Sequence, residues 1–224
     1  MKVGAGPTLD TELDIFAQGV TTIVAMDEVG RGSVFGPCSV GAVVIDRGVG
    51  PWPGALRDSK LLSARARVAL VGPLREWVRE AAVGDASAAE IDEFGLTCAL
   101  RLAGRRALAQ LVASPEVVLL DGSFDWLSTP RESPLVSPNY PVVHVPEVRT
   151  QVKADLTCAS VAAASVFAKV HRDAVIEELA SLAPGYDLSS NKGYLTVAHA
   201  AGLRRLGPSR YHRHTWNLPT TEDI

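Results

Sequence analysis

Three short runs of β-branched and apolar residues most constrain what this chain can fold into. Thr21–Met26 (TTIVAM), Cys38–Asp46 (CSVGAVVID) and Val117–Leu120 (VVLL) each have the length and composition of a buried strand. The first stops at Asp27-Glu28 and the third at Asp121-Gly122, so carboxylates stand where strands end. Gly30–Pro37 is glycine-rich turn material, and the first two runs are expected to pair as a hairpin whose connection carries Gly30-Arg31-Gly32. Val142–Val145 (VVHV) reads as a further short strand, and Gly48–Gly54 (GVGPWPG) as a loop.

Helical signals fill the intervals. Ser63 can cap a helix running to about Ala81, with Leu70, Leu74, Trp77, Val78 and Ala81 on one face and Gly72-Pro73 as a kink. Ser87-Ala88-Ala89-Glu90 has capping-box spacing, so a second helical region begins there and runs towards Val112, with Gly95 and Gly104 as breaks. Asp155 opens a segment whose small residues, Ala159, Ala162, Ala163, Ser165 and Ala168, let a helix lie close against a sheet. A last helix is expected from Thr196 to Leu206. Residues 1–20 read as a short lead-in, and the Pro- and Ser-rich residues 125–141 as an extended loop. Strands mixed with helices in this order predict a layered α/β or α+β domain.

Composition excludes several classes. The 224 residues suit one domain, and with 47% hydrophobic and 21% charged residues they can bury a sizeable core. No apolar run approaches the roughly 20 residues that span a bilayer, and the N-terminus lacks a signal-peptide core. A net charge of −3 argues against coating nucleic acid through bulk charge, but not against a local basic surface. Cys38, Cys98 and Cys158 are odd in number and widely spaced, which reads as buried free thiols in a reducing cytoplasm.

Asp27, Glu28, Asp121 and Asp155 are the candidate chemistry. Carboxylates at strand ends project where α/β domains gather ligands. Oxygen-only sets bind hard divalent cations, Mg²⁺ or Mn²⁺, and two such ions roughly 4 Å apart suit phosphodiester cleavage. Taken singly, Asp155 reads first as a helix N-cap and Asp121-Gly122 as a turn, and spacing alone does not bring the acids together. Gly30-Arg31-Gly32 reads as a plain turn or as a loop gripping a phosphate, and Asp58-Ser59-Lys60 first as a cap. Between Leu188 and Thr221 there is no acid; Lys192, Arg204, Arg205, Arg210, Arg213 and three histidines alternate with Tyr194, Tyr211 and Trp216. That run reads either as a solvated basic face or as a surface that tracks a phosphate backbone. His199, His212 and His214 lack the cysteine pair of a zinc site.

The pieces together resemble the ribonuclease HII family. The matching stretches are MDEVGRG (Met26–Gly32), DSKLLS (Asp58–Ser63), LLDG (Leu119–Gly122), KADLTCASVAAASVFAKVHRD (Lys153–Asp173), NKGYLT (Asn191–Thr196) and GPSRYHR (Gly207–Arg213). They cover roughly residues 21–216. The resemblance implies an RNase H-like α/β fold, a central mixed sheet flanked by helices, with a small helical and basic substrate-binding extension over roughly residues 190–224. It implies that Asp27, Glu28, Asp121 and Asp155 are catalytic and hold two Mg²⁺ or Mn²⁺ ions. Gly30, Arg31 and Gly32 would read the ribose 2′-hydroxyl, Tyr194 would pack on the next sugar, and Lys60 and Lys192 would contact phosphates. The expected enzyme is a monomeric cytoplasmic endoribonuclease acting on RNA–DNA hybrids and on duplex DNA containing ribonucleotides. A DNA nuclease or resolvase of the same superfamily, or a non-catalytic nucleic-acid-binding module, are the alternatives. The sequence departs from the family at Ser33-Val34-Phe35, where Pro-Leu-Ala is usual, at Ser123, and in the long interval between Asp121 and Asp155.

Overall fold

The hairpin expected from the first two apolar runs forms the centre of the sheet. In a computed structural model that describes residues 6–128 and 138–219, β1 (Thr22–Val29) pairs antiparallel with β2 (Cys38–Asp46). The boundaries of β2 are those read from the sequence. β1 runs three residues further than expected, so Asp27 and Glu28 are strand residues, opposite Gly41 and Val40. β3 (Glu80–Ala86) pairs with the outer side of β2; β4 (Val117–Asp121) and β5 (Glu147–Gln151) add parallel to β1. The result is a mixed five-stranded sheet of order β3-β2-β1-β4-β5, which bears out the α/β reading.

Helices cover both faces. α1 (Asp10–Ala17), α2 (Ala64–Trp77), α5 (Ala154–Thr157) and α6 (Ala159–Leu182) lie on one side. α3 (Ala88–Phe94) and α4 (Leu96–Leu108) lie on the other. Strand alternation divides the core accordingly: Ile23 and Ala25 face α6, while Val24 and Met26 face α4. α7 (Leu188–Asn191) and α8 (Val197–Leu206) build a third apolar cluster with Phe35 and the end of α6. Ser63 caps α2, Ser87 and Glu90 form the reciprocal capping box of α3, and Thr196 caps α8, as their spacing predicts. Among the described residues no helix is long and apolar enough to cross a membrane. The three cysteines are free and buried.

The differences from expectation have local causes. The lead-in contains α1, which has no side-chain cap and depends on tertiary contact instead. Its Glu12 is fully buried, and Oε1 accepts from Ser160 N at 2.9 Å and Ser160 Oγ at 2.6 Å. α2 passes through Gly72-Pro73 but ends at Trp77, because Val78 turns extended and leads into β3. β3 is rich in Ala and Gly, a composition that carries no strand signal. The helical region after Ser87 breaks at Gly95, with φ +78°, but runs unbroken through Gly104. Val142–Val145 is not a strand. The polar Glu147–Gln151 takes the edge position beside β4 instead. Of the expected 125–141 loop, residues 129–137 lie outside the described residues, and the remainder has no regular structure.

The small-residue stripe on α6 does what its composition suggests. A Cβ at Gly41 of β2 would meet Ala164 O at 2.3 Å and the Ala168 side chain at 3.2 Å. Gly41→Ala is therefore an overpacking change against rigid backbone, expected to cost about 1–3 kcal/mol. At roughly 2–4 °C per kcal/mol for a chain of this size, the melting temperature should fall by several degrees. An unchanged melting curve would show that α6 can move off the sheet.

Candidate active site

Register, not sequence distance, brings the acids together. Met26 and Leu120 are partners on the parallel strands β1 and β4, so Asp27 and Asp121 are the next residues along each. Both follow the strand positions that face α6, whereas Glu28 follows those that face α4. Asp121 then reaches the fourth acid through the main chain. Its Oδ1 accepts from Ala154 N at 2.7 Å and from Asp155 N at 3.4 Å, which fixes the start of α5 against β4. Lys153, in the left-handed region at φ +60°, makes the turn that aims those two amides at Asp121. Asp155 is therefore not the cap of its helix; Asp121 supplies that oxygen from another strand.

Burial makes the cluster electrostatically tense. Asp27 and Asp155 are about as buried as core residues, at 5% and 4% exposure. Burial, then the charges of Glu28, Asp121 and Asp155, push the Asp27 carboxyl well above the usual carboxylate range. Burial also raises Glu28, against the opposing charge of Arg31. Asp121 is raised by burial and by the charge of Asp155. Two cations answer in part: Lys60 Nζ lies 2.8 Å from Asp155 Oδ2, and Arg31 Nη1 lies 3.3 Å from Glu28 Oε1. Glu28 Oε2 is buried with no hydrogen-bond partner among the described residues. Also among the described residues, no three His, Cys, Asp or Glu side chains close into a ready-made metal cage. The donor set nevertheless fits hard divalent cations: it is all carboxylate oxygen, mutually repulsive, and has an orphaned buried oxygen aimed at no protein donor.

The remaining candidates fall around this cluster or apart from it. Asp58 caps the short helical turn Ser59–Leu61, and so carries Lys60 to Asp155. Gly30 is buried with φ +81°, while Arg31 and Gly32 are exposed. Tyr194 is 39% exposed, with the Arg172 guanidinium 5.8 Å from its ring. Lys192 pairs with Glu177 and lies in the left-handed region at φ +51°.

Two arginines organise the glycine loop: Arg172, to which the sequence assigns no role, and Arg213, which the sequence places in the C-terminal basic run. Arg172 donates to Pro37 O, Lys192 O and Phe35 O at 2.9–3.1 Å. Arg213 donates to Gly30 O at 2.7 Å, Arg31 O at 2.9 Å and, more loosely, Gly36 O. Both are fully buried, so Arg213 is no part of a solvated basic face. Phe35, the bulky departure from the family pattern, is fully buried against Tyr211, His199 and His212.

The histidines are structural as well. His212 Nδ1 accepts from Ser209 N at 3.0 Å, which leaves Nε2 to donate to His199 Nε2 at 3.0 Å. His199 Nδ1 then donates to Tyr194 O, also at 3.0 Å. Burial, and then the neighbouring His199, hold His212 down to about 4; burial lowers His199 too. A histidine lowered in the folded state stabilises it above the ordinary imidazole pKa and loses that contribution as pH falls towards the folded value. Between pH 6.5 and about 4, the wild type should therefore lose melting temperature relative to a His212→Gln variant. Parallel curves for the two proteins would contradict the neutral relay.

A mixed sheet of this order, with carboxylates at the ends of its adjacent parallel strands and helices on both faces, defines an RNase H-like α/β enzyme. The ribonuclease HII profile matches residues 24–218. The ribonuclease HII of Streptomyces griseus is 42% identical over 214 residues, covering 94% of this chain and 84% of that one. The solved ribonuclease H2 of Pyrococcus horikoshii superposes with a TM-score of 0.64 at 24% identity, covering 88% of this chain and 94% of that one. A Bst-RNase HIII, solved in complex with Mn²⁺, gives 0.57 at 22% identity, covering 84% and 63%. The chain belongs to the ribonuclease HII family and is an enzyme, a ribonuclease H.

Proposed function

We propose that this ribonuclease H cuts the RNA strand of RNA–DNA hybrids. It also nicks duplex DNA on the 5′ side of single embedded ribonucleotides, leaving 3′-hydroxyl and 5′-phosphate ends. The observation that carries the reading is Glu28 Oε2, buried and unpartnered in a cluster of mutually repelling carboxylates with the buried Asp27 and Asp155 and the half-buried Asp121. A protein holds such a set together at a cost in free energy, and a divalent cation relieves it. The Mn²⁺ complex of the Bst-RNase HIII relative supports the same chemistry.

Asp27, Glu28, Asp121 and Asp155 would hold two Mg²⁺ or Mn²⁺ ions. When bound, such ions make water a nucleophile near neutral pH and stabilise a departing oxygen. The chain's own groups do the rest. The amides of Ala154 and Asp155 fix the Asp121 carboxylate. Lys60, 73% exposed at its side chain, brings a positive charge beside Asp155 where a phosphate would lie. The exposed Gly32, at which an added Cβ meets nothing within 4 Å, leaves room for a sugar against the loop. A ribose is told from a deoxyribose there by its 2′-hydroxyl. Tyr194 offers an exposed ring to the following sugar, and Lys192 reaches a phosphate by exchanging its surface pairing with Glu177. Removal of ribonucleotides from DNA by a monomer in the cytoplasm accords with this chemistry and with the free thiols.

A duplex bearing one ribonucleotide, incubated with Mg²⁺ or Mn²⁺, should be nicked on the 5′ side of that residue. If it stays whole while a full hybrid is cut, the role of Tyr194 at the junction is wrong. Asp121→Asn keeps an Oδ1 that accepts from Ala154 N, so folding and melting temperature should change little. Cleavage should nevertheless fall by several orders of magnitude, because the neutral amide is a poor ligand for a hard cation. Full activity in this variant would remove Asp121 from the site.

A further inference from the structure

We propose that Arg213 is the positioning residue for ribose recognition: by holding the carbonyls of Gly30 and Arg31, it turns the amides of Arg31 and Gly32 outwards as a pair of donors for the 2′-hydroxyl. The inference rests on the ribonucleotide reading above and deepens it.

The argument begins with peptide geometry. In a planar trans peptide, the carbonyl of one residue and the N–H of the next point in opposite directions. Arg213 Nη2 donates to Gly30 O at 2.7 Å, and Nη1 donates to Arg31 O at 2.9 Å. The N–H groups of the same two peptide units, those of Arg31 and Gly32, therefore face away from Arg213. Among the described residues neither N–H has a hydrogen-bond partner. Arg31 and Gly32 are the exposed residues of the loop, while Gly30 and Ser33 on either side are buried. An added Cβ at Gly32 would meet nothing within 4 Å, so the outward side is open. One planar fork thus sets two adjacent peptide planes at once, a geometry that a point donor such as lysine does not reproduce.

The fork is itself held firmly. Arg213 Nε and Nη2 reach Gly36 O at 3.4 and 3.3 Å, and the Trp216 ring lies 4.7 Å from the guanidinium carbon. Arg213 N donates to Val34 O at 3.0 Å, so its own main chain is tied to the loop. Arg172 secures the other flank. A Cβ at Gly30 would lie 2.1 Å from Arg172 Nε, so glycine is required for Arg172 to pass beneath the loop. From there Arg172 joins Phe35 O and Pro37 O to Lys192 O, and Val34 N donates to Gly193 O at 3.0 Å. The donor pair and the Tyr194 segment are thereby one rigid unit, the preorganisation that recognition of a single hydroxyl needs. Burial lowers the Arg213 pKa to about 10, which still leaves the fork fully charged near neutrality.

The test compares wild type with Arg213→Lys, which keeps the charge and loses the fork. Affinity is measured with Ca²⁺ in place of the catalytic ions, on a duplex with one ribonucleotide and on the same duplex entirely of DNA. The wild type should prefer the ribonucleotide duplex, and Arg213→Lys should lose about tenfold of that preference, the scale of one or two hydrogen bonds. Its affinity for the all-DNA duplex should stay within about twofold. A preference left intact in a folded Arg213→Lys protein, or an equal loss on both duplexes, overturns the inference. If the variant fails to fold, amide resonances of the wild type decide. Those of Arg31 and Gly32 should shift with the ribonucleotide duplex and not with the DNA duplex; identical shifts overturn it. Failure of the broader reading is distinguishable, because there the wild type itself would not nick a single-ribonucleotide duplex with Mg²⁺ or Mn²⁺.

Discussion

Charge withheld from water is the constraint around which this molecule is arranged. Asp27 and Asp155 sit at the level of exposure of core residues, and Arg172 and Arg213 are fully buried. Neither group is fully compensated by opposite charge. The acids have each other and two lysine or arginine contacts; the arginines have main-chain carbonyls. An uncompensated buried charge costs several kcal/mol unless something repeatedly present in function completes it. The two halves solve the problem differently. The guanidiniums are satisfied within the protein by carbonyls, a closed solution that produces rigidity. The carboxylates are left open, with Glu28 Oε2 unpartnered, a solution that requires a ligand.

The sheet decides where each solution falls. β1 carries Asp27 and Glu28 to opposite faces, so adjacent acids in sequence are not redundant in space. Asp27 joins Asp121 across the parallel pairing with β4, and Asp121 in turn anchors α5 and Asp155. Glu28 is left next to Arg31 and the glycine loop. One dipeptide therefore links the acidic cluster to the loop that Arg213 holds. The opening of α5 depends on this arrangement too, since its first amides are capped from β4 and not from within the helix.

How far this was readable from sequence follows from which interactions were local. β2 is legible to the residue because the eight apolar or small residues from Cys38 to Ile45, closed by Asp46, have few other destinations. The caps of α2, α3 and α8 were read because Ser63, Ser87 and Thr196 act within three residues of themselves. α1, β3 and β5 were missed because their support comes from elsewhere. Glu12 needs Ser160, the Ala-rich β3 needs β2, and the polar β5 needs β4. The four acids were named from family resemblance; composition alone left Asp155 as a cap and Asp121 as a turn. The structure shows why both local readings were plausible and incomplete: Asp121 does cap a helix, but one that begins more than thirty residues away in the chain.

The C-terminal run shows the same distinction in electrostatic form. A stretch without acids reads as a basic surface when each residue is taken as solvated. Yet Arg213, His199 and His212 are fully buried, and both histidines are held neutral near physiological pH. The directional chain from Ser209 N through His212 and His199 ends on the carbonyl of Tyr194. Arg172 ends on the carbonyl of Lys192, two residues earlier. Of the residues that look like a patch for gripping phosphate, the two histidines thus act on the backbone at Tyr194 and Arg213 on the carbonyls of Gly30 and Arg31. Basic composition in this segment therefore divides between buried side chains that fix the backbone and side chains that face solvent, Arg205 and Arg210 among them.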